Sequence, residues 1–171
     1  MKVRSSFFRR SIGKRDVEKG LDADSDTAYP LGSCSKLLTS AAIGMLAGDG
    51  LPLGDTIQRH IPTFDPVEDP QIGREATIRD LCRHTTGLAN PALASNGPGG
   101  TVLVAENDHV TMVNALPTSN KEGQRFRSWW YYSNAAYGLL ADVVKAASGL
   151  NFPDYLKERL CLPLGMKQTL L

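Results

Sequence analysis

A serine and a lysine stand three residues apart at the start of an uncharged, apolar stretch of the chain. Ser33 and Lys36 belong to the sequence LGSCSKLLTSAAIGMLAGDG at 31–50, which has no charged residue over 37–48. Residues three apart on a helix share a face, so the lysine amine can approach the serine hydroxyl. Burial beside an apolar stem favours the neutral amine, which can act as a base. The pair could therefore form an activated nucleophile, with the serine hydroxyl as the attacking group and the lysine amine as its base.

A second pair of chemically capable side chains occurs in the sequence YYSN. The phenol of Tyr132 can pass a proton to a leaving group, and the amide of Asn134 can both donate to a carbonyl and accept from a lysine. Each residue also has an ordinary structural interpretation. The aromatic run 129–132 can be core packing or one wall of a cleft, and Asn134 can be a helix cap.

The S-x-x-K spacing alone does not separate catalysis from structure. Ser11 and Lys14 show the same spacing in a charged stretch interrupted by glycine, where no buried helix would tune the amine. Ser33 could equally be a helix cap and Lys36 a lysine whose stem covers apolar surface. Both interpretations stay open on spacing alone.

The elements that must position these residues are mainly helices. Apolar residues at 37, 38, 41, 42, 45 and 46 predict a helix with Ser33 as its N-cap, Cys34 turned into the core and Gly48–Gly50 as its end. The pattern predicts an extended segment over 3–12, a loop over 13–29, irregular chain around the prolines at 62–70 and a polar segment over 119–127. Further helices are predicted to begin at Thr77 and to span 108–116, 133–148 and 151–163.

Three segments in this order resemble the serine β-lactamase-related family, which contains class C β-lactamases, DD-peptidases, esterases and transesterases. They are PLGSCSKLLTSAAIGMLAGDGLPLGDTIQRHIPTF, ATIRDLCRHTTGL and YYSNAAYGLLADVVKAASG. The segment PLGSCSK is similar to the corresponding segment of fungal members. The resemblance implies an α/β, β-lactamase/transpeptidase-like fold. Residues 1–171 would be a partial domain, with an N-terminal strand and loop (1–30), the nucleophile helix (31–50) and a helical lobe (51–171).

The resemblance also implies a role for each site residue. Ser33 would be the acylated nucleophile, Lys36 its general base and Tyr132 a proton carrier to the leaving group. Asn134 would orient Lys36 and hold the acyl side chain. The Ser33 N–H would be one of two oxyanion donors. How Lys36 and Tyr132 divide the proton transfers stays open.

One family motif has no counterpart in the expected place. A K-T-G or H-x-G strand should follow Tyr132 far downstream, but the 37 residues after Asn134 contain neither, and Lys121–Gly123 precedes Tyr132. We therefore expect a fragment in which the helical lobe and nucleophile helix lack most of the central sheet. An exposed sheet edge would favour self-association and leave activity weak.

The composition of the chain limits the classes of binding partner and cofactor that we expect. A net charge of +1 gives no reason to expect nucleic acid, and no run is long enough to span a membrane. His60 and His109 lack metal-ligand spacing, and His84 is expected to be structural, so neither a metal nor another cofactor is predicted. Three cysteines without CxxC spacing predict reduced, mostly buried thiols and a cytoplasmic location. A mitochondrial presequence in the basic first fifteen residues is the alternative.

The predicted function is a serine hydrolase or acyltransferase that forms an acyl-enzyme on Ser33 with small-molecule esters, amides or β-lactams. Similarity to fungal members favours esterase or transesterase chemistry. The alternative is a non-catalytic remnant, or pseudoenzyme, that binds a ligand or partner through the same lobe.

Overall fold

The computed structural model of the chain describes residues 10–90, 109–116, 118, 126–166 and 169. Two short strands, β1 (Lys14–Asp16) and β2 (Leu21–Asp22), pair in antiparallel fashion. The first helices are α1 (Ser35–Gly48), α2 (Ile57–His60), α3 (Pro70–Glu75) and α4 (Ile78–Arg83). They are followed by α5 (His109–Ala115), α6 (Asn134–Ser148) and α7 (Phe152–Leu156), and α7 continues into a π-helical turn, Lys157–Cys161.

Helix α6 is the central element, because α1, α2, α4, α5 and α7 all pack against it. Its sequence explains this position, since apolar residues recur at the spacing that forms one broad helical face. The buried members of that face are Ala135, Ala136, Leu139, Leu140, Val143 and Val144. Ser133 caps the helix by accepting the Ala136 N–H, whereas Asn134, which the sequence offered as a cap, is its first helical residue. Gly149 ends the helix in the left-handed conformation.

Helix α1 begins later than predicted, and this changes which side chains it buries. Ser33 is not its N-cap but lies in a single 3₁₀ turn, Gly32–Cys34, that precedes the helix. A 3₁₀ turn advances three residues per turn, so its side chains do not continue the rows of the α-helix. Cys34 is consequently exposed, contrary to the prediction that it joins the core.

The buried face of α1 also differs from the predicted one. Leu37 is 74% exposed, whereas Ile43, which the prediction left out, is buried with Ala42 and Leu46. The apolar positions of α1 cover a wider arc than the side that packs on α6, so the pattern alone could not select the buried half.

Two predictions about irregular segments were wrong. Residues 13–29, predicted as a loop, contain the β1–β2 hairpin, which turns at Gly20 with φ 65°. The proline-rich segment contains α3, because Asp69 caps the helix and Pro70 occupies its first turn, where proline needs no hydrogen-bond partner. Residues 3–9 of the predicted extended segment lie outside the described residues, and Ile12 is exposed without strand pairing.

The other predicted helices are confirmed in position. Thr77 and Asp80 form a reciprocal capping box at the start of α4. Helix α5 lies within the predicted span, although Asp108, its predicted cap, is outside the described residues. Asn151 caps α7. None of the helices described has the length and apolar character needed to cross a bilayer. The described part is thus mainly helical, as predicted, and its one sheet has only the two strands of the hairpin.

Candidate active site

Four side chains that the sequence singled out converge at the start of α1 and the start of α6. The Ser33 and Tyr132 hydroxyl oxygens are 2.8 Å apart. The Lys36 ammonium donates to the Asn134 side-chain oxygen at 2.6 Å, and its Nζ lies 4.8 Å from the centre of the Tyr132 ring. The structure therefore brings together every predicted site residue, while their catalytic roles stay predictions.

The local fold explains why Ser33 and Lys36 face the same space. Gly32 adopts φ 52°, a conformation that favours glycine, and so starts the 3₁₀ turn that presents the Ser33 hydroxyl to solvent. Lys36 follows in the first turn of α1 and is half-buried. An accessible hydroxyl beside a partly shielded cation is an arrangement suited to attack on a carbonyl.

The phenol of Tyr132 is tuned by its neighbours. Hydrogen bonds, chiefly from Lys36 and then from Ser33, hold the pKa of Tyr132 below its ordinary value, against the opposing effect of burial. A lowered phenol pKa makes the phenolate more accessible near neutral pH. Tyr132 can therefore accept the proton of the hydroxyl it touches.

Tyr132 reaches the site on a loop, residues 126–133, that we call the Tyr132 loop. It is tied by backbone hydrogen bonds to the chain that leaves α4, residues 84–90, which we call the α4 exit. The Arg127 N–H donates to the Thr85 carbonyl, and the Tyr131 N–H donates to the His84 carbonyl, each at 2.9 Å.

Side chains extend this connection up to the start of α6. The Ser133 N–H donates to His84 Nδ1 at 3.2 Å, and the Ser133 hydroxyl donates to the Ala89 carbonyl at 2.9 Å. The Asn134 N–H donates to the Asn90 side-chain oxygen at 3.2 Å. The α4 exit thus sets the position of both Tyr132 and Asn134.

An ion pair anchors the far end of the Tyr132 loop. Arg127 donates to the Asp80 carboxylate, with its closest contact at 2.7 Å, and to the Glu75 carbonyl at 2.8 Å. Burial alone would raise the pKa of Asp80, but hydrogen bonds from Arg127 and Thr77 outweigh it and hold that pKa below its ordinary value. Asp80 stands three residues after Thr77, the spacing of a helix capping box, but no local pattern indicates its pairing with Arg127.

The aromatic run divides into two parts. The rings of Trp129 and Tyr131 contact each other at 5.0 Å between centroids. Trp130 is 62% exposed, and its ring centre lies 6.1 Å from that of Tyr132. Trp130 is therefore the member of the run that offers apolar surface beside the candidate site.

Two of the three histidines are paired with carboxylates. His60 pairs with Asp55, and His109 pairs with Asp142. Over the part of the chain that the structure describes, no cluster of histidine, cysteine, aspartate or glutamate has a metal-binding arrangement. Of the three thiols, Cys34 is exposed, Cys82 half-buried and Cys161 buried, so the prediction of mostly buried thiols holds only in part.

Comparison with known proteins supports the family resemblance found in the sequence. A family model described as Beta-lactamase matches residues 4–171. Penicillin-binding protein 4* of Bacillus subtilis (strain 168) is 30% identical over 166 residues, which cover 95% of this chain and 35% of that protein. The chain thus spans little more than a third of the length of this curated relative.

Solved structures show the fold. D-amino acid amidase from Ochrobactrum anthropi SV3 matches with a TM-score of 0.72 and 22% identity, covering 91% of this chain and 41% of that one. EstCE1, described as a hydrolase with promiscuous acyltransferase activity, matches with a TM-score of 0.69 and 23% identity, covering 90% and 42%. The predicted β-lactamase/transpeptidase-like fold is confirmed, and the chain belongs to the beta-lactamase family of serine hydrolases.

Proposed function

We propose that this chain carries the acylation machinery of a serine hydrolase or acyltransferase, with Ser33 as the nucleophile. The observation that carries the proposal is the 2.8 Å contact between the Ser33 and Tyr132 oxygens, next to the 2.6 Å hydrogen bond from Lys36 to Asn134. A nucleophile, a proton acceptor and a group that orients a cation then share one space.

In the proposed acylation, the Ser33 oxygen attacks the substrate carbonyl and its proton passes to the Tyr132 oxygen. The Lys36 charge favours the phenolate that receives this proton. When the tetrahedral intermediate collapses, the bond to the leaving group breaks and Tyr132 returns the proton to it. The acyl group stays on Ser33 until water or another nucleophile takes it.

The site and the relatives together support the proposed substrate class. Esters, amides and β-lactams all present a carbonyl to an exposed serine and need no cofactor. The relatives named above include a penicillin-binding protein, an amidase and a hydrolase with acyltransferase activity. Exposed Trp130 beside Tyr132 favours acyl groups with an apolar part. We place esterase or transesterase chemistry first among these.

Covalent labelling of the whole chain tests the proposal. Purified protein is treated with a fluorophosphonate or a penicillin probe, and the adduct is located by peptide mass spectrometry. We expect one adduct on Ser33, lost in Ser33→Ala. Ser11→Ala is the matched control, because Ser11 has the same spacing to a lysine whereas the Tyr132 hydroxyl contacts Ser33, and this variant should label normally.

The absence of a Ser33 adduct would also be informative. A sample that is folded by circular dichroism yet acquires no adduct on Ser33 would reject the nucleophile. It would favour the alternative of a non-catalytic protein that binds a ligand or partner through the same lobe.

A further inference from the structure

His84 is a buried imidazole behind the candidate site, and the chemistry proposed above uses none of its atoms. It is 7% exposed and lies directly after α4 with φ 57° and ψ 41°. Few residues other than glycine adopt this left-handed conformation, although histidine and asparagine do so more often than most. The residue is therefore held in an uncommon conformation by its surroundings.

The contacts of His84 converge on the residues that carry Tyr132 and Asn134. Its carbonyl accepts the Tyr131 N–H, and its Nδ1 accepts the Ser133 N–H at 3.2 Å. His84 thus holds the amides on both sides of Tyr132, one through its backbone carbonyl and one through its imidazole.

The ring also supports aromatic side chains at the site. Its centre lies 4.8 Å from that of Tyr132, 5.0 Å from that of Tyr137 and 5.7 Å from that of Trp130. Pairs at these separations stabilise a defined arrangement of rings. A shift of the imidazole would therefore move the Tyr132 phenol relative to Ser33.

The Ser133 hydrogen bond fixes the protonation state that His84 must have. Only a neutral imidazole with its proton on Nε2 can accept at Nδ1, a tautomer that we assign from this hydrogen bond. Burial, followed by the nearby charge of Lys36, lowers the pKa of His84 below its ordinary value. A proton on Nδ1 would instead face the Ser133 N–H, donor against donor.

We propose that His84 is a positioning residue that places Tyr132 and Asn134 through the Ser133 amide, and that it does so only as a neutral imidazole. Three titratable groups face its ring: the phenol of Tyr132 from the Tyr132 loop, the phenol of Tyr137 from α6 and the ammonium of Lys36 from α1. Positioning is present at neutral pH and is lost as the pH falls through the His84 pKa, below about 6.5. The effect on acylation rests on the proposed function, whereas the placement of Tyr132 does not.

Two substitutions separate the hydrogen bond from mere space filling. His84→Asn keeps an acceptor at the position of Nδ1, and asparagine tolerates the left-handed conformation. His84→Gly also tolerates that conformation but has neither acceptor nor ring. Each is made in the whole chain with and without Tyr132→Phe, so that ultraviolet difference titration isolates the Tyr132 phenol.

We expect His84→Gly to raise the Tyr132 pKa towards its ordinary value and to slow Ser33 labelling about tenfold or more. His84→Asn should recover most of the rate and the lowered Tyr132 pKa. It should also lack the part of the acid limb, below about pH 6.5, that His84 contributes to the wild-type rate.

A third measurement does not depend on either variant folding or on labelling. In wild-type protein, the Ser133 amide signal in nuclear magnetic resonance should shift with pH, with a midpoint below about 6.5. A Ser133 signal that stays constant through this range would overturn the proposal. So would an asparagine variant that behaves as the glycine variant does, or a folded glycine variant with an unchanged Tyr132 pKa. If wild-type Ser33 fails to label, the proposed function falls, and the amide and phenol titrations still decide the role of His84.

Discussion

Lys36 and Asn134 join the starts of two helices, because the Lys36 ammonium donates to the Asn134 oxygen at 2.6 Å. Lys36 lies in the first turn of α1 and Asn134 is the first residue of α6, and these two helices pack on each other. The contact therefore links the segment of Ser33, the candidate nucleophile, to the segment of Tyr132, the candidate proton carrier.

Lys36→Met should slow the labelling of Ser33 by about 10²–10⁴-fold, because it removes the charge that favours the Tyr132 phenolate. Titration of Tyr132 should show a raised phenol pKa in the same variant. Lys36→Arg is the control: it keeps a charge but cannot act as a base, so it should preserve more of the Tyr132 effect than methionine does. A methionine variant that labels at the wild-type rate contradicts the proposed role.

Arg127→Ala should lower the free energy of unfolding by about 1–3 kcal/mol, since it leaves the buried Asp80 carboxylate without its main partner. Urea unfolding measures this change. Arg159→Ala is the matched control, because the Arg159–Asp49 pair has the same 2.7 Å distance but exposed partners, and it should destabilise the protein less than Arg127→Ala does. Equal losses in the two variants would show that burial of Asp80 does not matter.

The contribution of Asp80 should depend on pH with a definite sign. Its pKa is lowered in the folded protein, so the stabilisation is present above the unfolded value of 3.8 and is lost as the pH falls through the folded value. The difference in unfolding free energy between wild type and Arg127→Ala should therefore shrink in acid. A difference that is constant from neutral pH into strong acid would exclude this electrostatic origin.

Gly138→Ala should destabilise the protein although alanine favours helices. A methyl group at Gly138 in α6 would lie 2.5 Å from His109 Cδ2, so the His109 ring or its helix α5 must shift. Gly44→Ala in α1 meets nothing within 4 Å and should stabilise the protein by up to about 1 kcal/mol. Thermal unfolding compares the two, and the prediction fails if both alanines shift the midpoint in the same direction.

Trp130→Ala should change the preference for probes rather than the chemistry at Ser33. We expect labelling by probes with a long apolar group to slow about tenfold, with a smaller effect on compact probes, since a pocket contact of this size gives modest discrimination. Trp129→Phe serves as the control because the Trp129 ring contacts Tyr131 instead. Equal slowing with long and compact probes would remove Trp130 from the acyl pocket.

Sequence patterns were most informative where a local signal and the final packing agree. Ser133 before α6 and Gly149 after it are a cap and a stop, so the bounds of α6 were predictable. The four site residues were found because their types match family motifs in order, although the motifs lie far apart in the chain. The domain bounds proposed from the sequence stay a prediction.

The remaining features depend on contacts that no local pattern encodes. Arg127 meets Asp80 across 47 positions, in a segment predicted only as polar. The 3₁₀ turn at Ser33 depends on Gly32 in its positive-φ conformation, which the cap pattern did not anticipate. For α3, the Asp69 cap and Pro70 were present in the sequence, but neighbouring prolines made the segment appear irregular.

The exposed thiol of Cys34 has a practical consequence. It lies one residue from Ser33, whereas Cys161 is buried and burial raises the pKa of Cys82 to about 11. Maleimide chemistry at neutral pH should therefore modify Cys34 first. An environment-sensitive dye attached there would sense the occupancy of Ser33 in real time, without any engineered cysteine.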